Sequence, residues 1–105
     1  MKDIRALRPS VYFESDKSTS SVLRCITSSN AFDGLTTDQM KILTLPGGEV
    51  EIAIGGIQSS IFKNKYLISI SPAIGGSVSV KLTNSDVYYH PVSFNDVVTQ
   101  VGGCM

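Results

Sequence analysis

Long apolar runs and charged residues are both scarce in this sequence. Only 17% of its 105 residues are charged, compared with about a quarter in typical domains. No apolar run approaches the roughly 20 residues of a membrane-spanning helix. The first residues mix apolar side chains with Lys2, Asp3 and Arg5, unlike the continuous apolar segment of a secretory signal. We therefore expect neither a membrane-spanning nor an exported protein.

An excess of one charge sign is also missing, because nine Lys and Arg residues balance nine Asp and Glu residues. A balanced chain has no global field that would attract nucleic acid or anionic lipid. Hydroxyl groups keep the surface polar instead, since the chain has 15 serines and seven threonines. The length suits a domain with a single hydrophobic core.

Residue patterns typical of catalysis are lacking. His90 is the only histidine, and histidine is the usual acid or base at neutral pH. The sequence has no Gly-x-Ser-x-Gly elbow, no dinucleotide-binding glycine pattern and no phosphate loop. His90 is better explained as a strand-end residue that is hydrogen-bonded through its ring. We expect a non-enzymatic protein without a cofactor.

Two cysteines, Cys25 and Cys104, lie 79 positions apart without a CxxC pair or a histidine cluster. Metal binding is therefore not expected. Cys25 lies in an apolar stretch and is predicted to be a small buried side chain, whereas Cys104, near the end, is predicted to be exposed. We favour reduced thiols. A disulfide is the alternative, because it requires only that the two Cα atoms lie within about 7 Å.

Alternating apolar and polar residues predict β-strands along most of the chain. The clearest alternation covers residues 49–54, 66–71 and 77–83. Shorter runs of β-favouring residues cover 11–13, 22–27, 42–45, 57–62 and 87–90. These segments make about eight strand candidates. Turn-forming residues separate them at 46–48, 55–56, 63–65, 75–76 and 84–86.

Helix is predicted at only two places, each of a turn or two. Residues 36–39 can form a capping box, and Ser93 can cap a helix that includes Val97 and Val101. The second segment could instead be a last strand, because its valines are β-branched. The sequence therefore predicts an all-β domain over residues 11–105. Its expected architecture is a small antiparallel β-sandwich or barrel with an N-terminal arm over residues 1–10.

A faint internal repeat relates residues 47–54 to residues 75–82. Both segments begin with two glycines and continue with alternating aliphatic residues. The repeat could mark two equivalent binding edges. We favour the simpler interpretation, in which two hairpins use the same kind of turn.

One segment has the composition of a single-strand nucleic-acid site. Lys63 and Lys65 lie between Phe62 and Tyr66, and single-strand binders combine phosphate neutralisation with base stacking on aromatic rings. The alternative is a hairpin tip that the lysines keep in solution while the rings pack inward. We favour this alternative because the net charge is zero.

These observations predict a structural or assembly protein of a larger particle. The arm, with Ile4, Arg5, Leu7 and Arg8 as its contact residues, is expected to reach a neighbouring protein subunit. Sheet edges poor in lysine are little protected against pairing.

By analogy we expect a phage or virus virion component, such as a capsid decoration, neck or tail protein, located in the virion or the host cytoplasm. Its partners would be other protein subunits, in a homo-oligomer or a lattice. The alternative is a small β-barrel that binds single-stranded nucleic acid or a ligand.

Overall fold

The computed structural model describes five strands and two helices. It describes residues 8–28, 40–58, 61–73, 75–85 and 93–105, with the backbone alone for 56–58 and 61–64. The elements are β1 (Val11–Ser15), α1 (Thr19–Thr27), β2 (Met40–Thr44), β3 (Val50–Gln58), β4 (Ile61–Pro72), β5 (Val78–Asn84) and α2 (Phe94–Gly103). Neither described helix is long and apolar enough to cross a membrane.

The five strands form one antiparallel sheet in the order β1-β5-β4-β3-β2. Strands β2 to β5 follow one another as a meander, and β1 pairs with the last strand of that meander. The first two strands of the chain therefore lie at opposite edges of the sheet. This placement gives the described part of the molecule two edge strands, β1 and β2.

Two hairpins of the meander have the same turn. In the β2–β3 hairpin the backbone N–H of Leu45 donates to the carbonyl of Glu49 over 2.7 Å, and in the β4–β5 hairpin Ala73 donates to Ser77 over 2.8 Å. Each turn contains two glycines with φ between 87° and 93°, a region that side-chain-bearing residues rarely adopt. The repeat thus corresponds to two hairpins built alike, as favoured above.

Alternation along the strands gives the sheet two different faces. One face, here called the helix face, joins the buried residues of both helices in a single apolar core. Its strand residues include Val50, Ile52, Ile54, Ile68, Ile70, Val80 and Leu82, all at most 5% exposed. The second face carries Ser69, Ser71, Ser79 and Lys81, together with the buried Glu51, Leu67 and Thr83.

Both helices begin at a serine cap and bury two apolar residues four positions apart. In α1 the Oγ of Ser18 accepts a hydrogen bond from the backbone N–H of Ser21 over 3.2 Å, and Val22 and Ile26 are buried. In α2 the Oγ of Ser93 accepts from Asp96 over 3.2 Å, and Val97 and Val101 are buried. The Ser93 cap is confirmed, and the segment after it is a helix, not a strand.

The prediction of a mostly β domain is confirmed, whereas the predicted architecture is not. The described residues are mostly β, but they form a single open sheet covered by two helices. Eight strands and a sandwich or barrel are not confirmed. The helix α2 is ten residues long, longer than the turn or two predicted, and the nine-residue α1 was not predicted as a helix. Residues 36–39 and 87–90 lie outside the described residues.

The predicted strand over residues 22–27 is wrong, because these residues belong to α1. Their β-branched side chains favour a strand only weakly. The spacing of Val22 and Ile26 fits one face of a helix instead, and the cap at Ser18 satisfies the first turn. Packing of this face on the sheet therefore overrides the local strand preference.

Two of the predicted turns also lie inside strands. Residues 55–56 belong to β3, and residues 63–65 belong to β4. Ile54 pairs with Tyr66 and Gly55 with Asn64, so Lys65 has no residue opposite it. This extra residue forms a β-bulge. The run over 57–62 likewise divides between the end of β3 and the beginning of β4.

A disulfide joins Cys25 of α1 to Cys104, the C-cap of α2, with the Cα atoms 5.7 Å apart. The expectation of reduced thiols is therefore wrong. Cys104 is fully buried, not exposed, and Cys25 is only half-buried. Local sequence could not reveal the bond, because packing of both helices on the same face brings together residues 79 positions apart.

Candidate protein-interaction edge

Large apolar side chains that are exposed occur on the two edge strands. Among the described residues these are Tyr12 on β1, which is 54% exposed, and Ile42 and Leu43 on β2, each 49% exposed. An exposed edge strand can pair with another chain, and apolar side chains on it strengthen such pairing. The two edges are therefore the first places to examine for a binding function.

The β2 edge, defined as residues Met40–Thr44, is apolar on both faces. Ile42 pairs with the buried Ile52 and so belongs to the helix face, while Leu43 pairs with Glu51 on the second face. Ile42 thus extends the apolar row of the core to the margin of the sheet. It remains half exposed because β2 is the last strand of the sheet.

The register of the β2–β3 hairpin shows which backbone groups of β2 point away from the sheet. The backbone N–H of Leu45 donates to Glu49 over 2.7 Å, so the N–H and C=O of Leu45 point toward β3. Because this direction alternates along an antiparallel strand, Leu43 also bonds toward β3. The N–H and C=O groups of Met40, Ile42 and Thr44 therefore point outward. In the described part of the chain no strand lies beyond them.

The β1 edge differs because its exposed aromatic residue, Tyr12, contacts neighbouring side chains. The Tyr12 hydroxyl donates to the Oγ of Ser79 over 3.2 Å, and the Nζ of Lys81 lies 6.0 Å from the centroid of the Tyr12 ring. Phe13 packs on the helix face, where its ring lies close to Gly102 of α2. The exposed fraction of Tyr12 thus overstates how available this edge is.

The end of β1 is also bound to the C-terminal residues of the chain. The Oγ of Ser15 donates to the carbonyl of Met105 over 3.0 Å, and the Nζ of Lys17 donates to the carbonyl of Cys104 over 3.2 Å. The disulfide to Cys25 holds the same segment. Side-chain hydrogen bonds thus hold the end of β1 to the C-terminal residues, which the disulfide joins to α1.

The structure disfavours the proposed nucleic-acid segment. Tyr66 is only 2% exposed, and its ring centroid lies 5.4 Å from that of Phe94, so the ring is not available for stacking on a base. Burial raises the pKa of the Tyr66 phenol above its usual value. The Nζ of Lys65 donates to the carbonyl of Ser85 over 2.8 Å and lies 5.6 Å from the Tyr66 ring.

The other aromatic residue and the other lysine of that segment are described only in their backbone. Phe62 and Lys63 lie within β4, and the structure describes only their backbone. The sequence suggested that this segment is a hairpin tip. It lies within a strand instead, because β4 begins at Ile61. Only the inward packing of one ring, Tyr66, is confirmed.

Most of the predicted arm lies outside the described residues. Ile4, Arg5 and Leu7 are not described, and the same holds for His90. Arg8 is exposed and precedes β1, which begins at Val11 as expected. The arm therefore stays a prediction. In the described ranges no three His, Cys, Asp or Glu residues are grouped so that they could hold a metal ion.

The β2 edge has a signal in the sequence, although none of the predictions above names this edge. Ile42 and Leu43 are adjacent apolar residues in a short strand candidate. Adjacent residues of a strand point to opposite faces, so one strand with apolar residues on both faces must be covered on both faces or lie exposed.

Comparison with protein-family models, curated proteins and solved structures found no match. The function is therefore inferred from the geometry of the chain itself.

Proposed function

We propose that this chain is a non-enzymatic structural protein of a larger assembly, and that the β2 edge binds a neighbouring protein subunit. The observation that carries the proposal is the combination at Met40–Thr44 of outward backbone groups with half-exposed Ile42 and Leu43. A partner strand placed there would satisfy the backbone groups and cover both side chains. This mode of binding is known as β-augmentation.

The apolar contribution of such a contact is modest. Full burial of an Ile or Leu side chain contributes about 1.5–3 kcal/mol, and Ile42 and Leu43 are already about half covered. Each residue would thus add about 1 kcal/mol. This amount suits a contact that is repeated many times in a lattice, where each subunit has several weak neighbours.

A phage or virus virion is the assembly that we propose, in the role of a capsid decoration, neck or tail protein. The assignment rests on analogy with small binding domains that add to a larger particle. The Cys25–Cys104 disulfide supports a place on the virion over the host cytoplasm, because disulfides persist on virion surfaces and are rare in reducing cytosol. The N-terminal arm, residues 1–10, would supply a second contact.

The alternative, a nucleic-acid-binding or ligand-binding β-barrel, has less support. The described sheet is open, with β1 and β2 at separate edges, and Tyr66 packs against Phe94. Neither observation favours a barrel interior or a stacking platform.

Sedimentation tests the assembly proposal. The protein, in the particles or cells from which it derives, should sediment with a complex far larger than the 11.3 kDa chain. The double variant Ile42→Lys/Leu43→Lys should fold normally and lose this association. Tyr12→Glu is the matched control, since it places a charge at the other edge, opposite Lys81 of β5, and it should remain with the particle. Wild-type protein found only as free chain would contradict the proposal.

A further inference from the structure

We infer that the β2 edge binds the β2 edge of a second copy of this chain, so that two sheets join into one antiparallel sheet of ten strands. This inference rests on the proposed function, because it uses the same edge and names its partner. It follows from the pairing that residues 40–44 can make with themselves.

Backbone geometry first restricts where two copies can pair. A two-fold axis perpendicular to the sheet relates antiparallel strands and keeps the helix faces on the same side. Ile42 lies at the middle of Met40–Thr44, and its N–H and C=O point outward. With the axis at Ile42, each copy of this residue would exchange two hydrogen bonds with the other copy. Met40 and Thr44 of opposite copies would pair in the same way.

Side-chain chemistry matches this register on both faces. On the helix face, the two copies of Ile42 would lie opposite each other. This contact would join the apolar row of Ile42 and Ile52 in one copy to the same row in the other copy. On the second face, Lys41 would lie opposite Leu43, so that the aliphatic part of the lysine covers the leucine. Like charges that lie directly opposite each other destabilise strand pairs. In this register no two like charges would be directly opposite. The zero net charge of the chain adds no general repulsion between copies.

Charge complementation at residue 42 tests the pairing with purified, oxidised protein. Wild type should show a monomer–dimer equilibrium by light scattering across a concentration series. Ile42→Lys and Ile42→Glu should each weaken dimerisation on the order of a hundredfold, because each places two like charges directly opposite. An equimolar mixture of the two variants should dimerise again, since Lys and Glu would then be opposite.

Tyr12→Glu is the control for a charge added to an edge strand, because the new carboxylate would lie opposite Lys81, and it should dimerise like wild type. Circular dichroism and urea unfolding of each variant establish that the fold is kept. Wild-type protein that stays monomeric would overturn the inference, as would Ile42 variants that still dimerise or a mixture that does not recover. A monomer that still joins the particle through Ile42 and Leu43 would mean that a different protein occupies the edge. That result would leave the assembly proposal standing.

Discussion

The two edges of the sheet carry similar exposed apolar side chains but differ in what surrounds them. At the β1 edge, Tyr12 contacts Ser79 and Lys81, and Ser15 binds the carbonyl of Met105. At the β2 edge, Ile42 and Leu43 are half exposed on a strand whose only neighbour in the described sheet is β3. Exposure alone therefore does not distinguish an edge residue whose side chain contacts other strands, such as Tyr12, from apolar residues left at the margin of the sheet.

The two edges should also differ in how much they contribute to the stability of the domain. Substitutions at the β1 edge should lower the stability of the isolated domain, because that edge contacts α2 and the disulfide-bonded segment. Substitutions at the β2 edge should lower stability less and act on association instead.

Loss of the Cys25–Cys104 disulfide should cost the most. The bond closes a loop of 79 residues, and loop-closure entropy for such a length corresponds to about 4 kcal/mol of stability. Urea unfolding of the Cys25→Ala/Cys104→Ala variant should show this loss relative to oxidised wild type. Reduced wild type is the matched control and should resemble the variant. Equal stability of oxidised and reduced protein would show that the bond does not form or adds nothing.

A pair of truncations compares the two edges directly. Phe13→Ala should lower the free energy of unfolding by about 2 kcal/mol, because the half-buried ring packs on the core and near Gly102. Ile42→Ala should lower it by about 1 kcal/mol or less, because only about half of the side chain is covered. Urea denaturation at a concentration where the protein is monomeric measures both. A larger loss for Ile42→Ala than for Phe13→Ala would reverse the assignment of the edges.

A smaller loss of stability than that of Phe13→Ala is expected at Ser15. Its Oγ donates to the carbonyl of Met105 and accepts from the backbone N–H of Lys17 over 3.1 Å. Because Ser15 is buried, Ser15→Ala should cost about 1 kcal/mol. Ser79→Ala, which removes only the exposed contact with Tyr12, should cost less, and thermal unfolding compares the two. Equal costs would mean that the bond to Met105 does not hold the end of β1.

Strict alternation was the most reliable guide to local structure. Residues 49–54, 66–71 and 77–83 lie almost entirely in β3, β4 and β5, because a half-buried strand must place every second side chain in the core. The glycine pairs at 47–48 and 75–76 correctly marked two hairpins, since both glycines of each pair adopt positive φ. Composition misled at residues 22–27, where β-branched residues form part of a helix.

The candidate site was harder to predict than the strands. The interleaved lysines and aromatics of residues 62–66 suggested a binding surface, but only the folded sheet shows that Tyr66 faces Phe94. Conversely, the strand that contains Ile42 and Leu43 was predicted, but its position at an edge was not. Strand order depends on contacts between distant parts of the chain, which local sequence patterns do not encode.

Local sequence patterns suffice to predict a mostly β domain, two of its hairpin turns and the cap of α2, because these depend on the period of a few consecutive residues and on local hydrogen bonds. The remaining features depend on packing between distant parts of the chain. This packing placed β1 beside β5, brought Cys25 within bonding distance of Cys104 and left β2 at the margin. The physical reason is that burial of one shared apolar face selects the arrangement of whole elements, and this selection involves residues far apart in the chain.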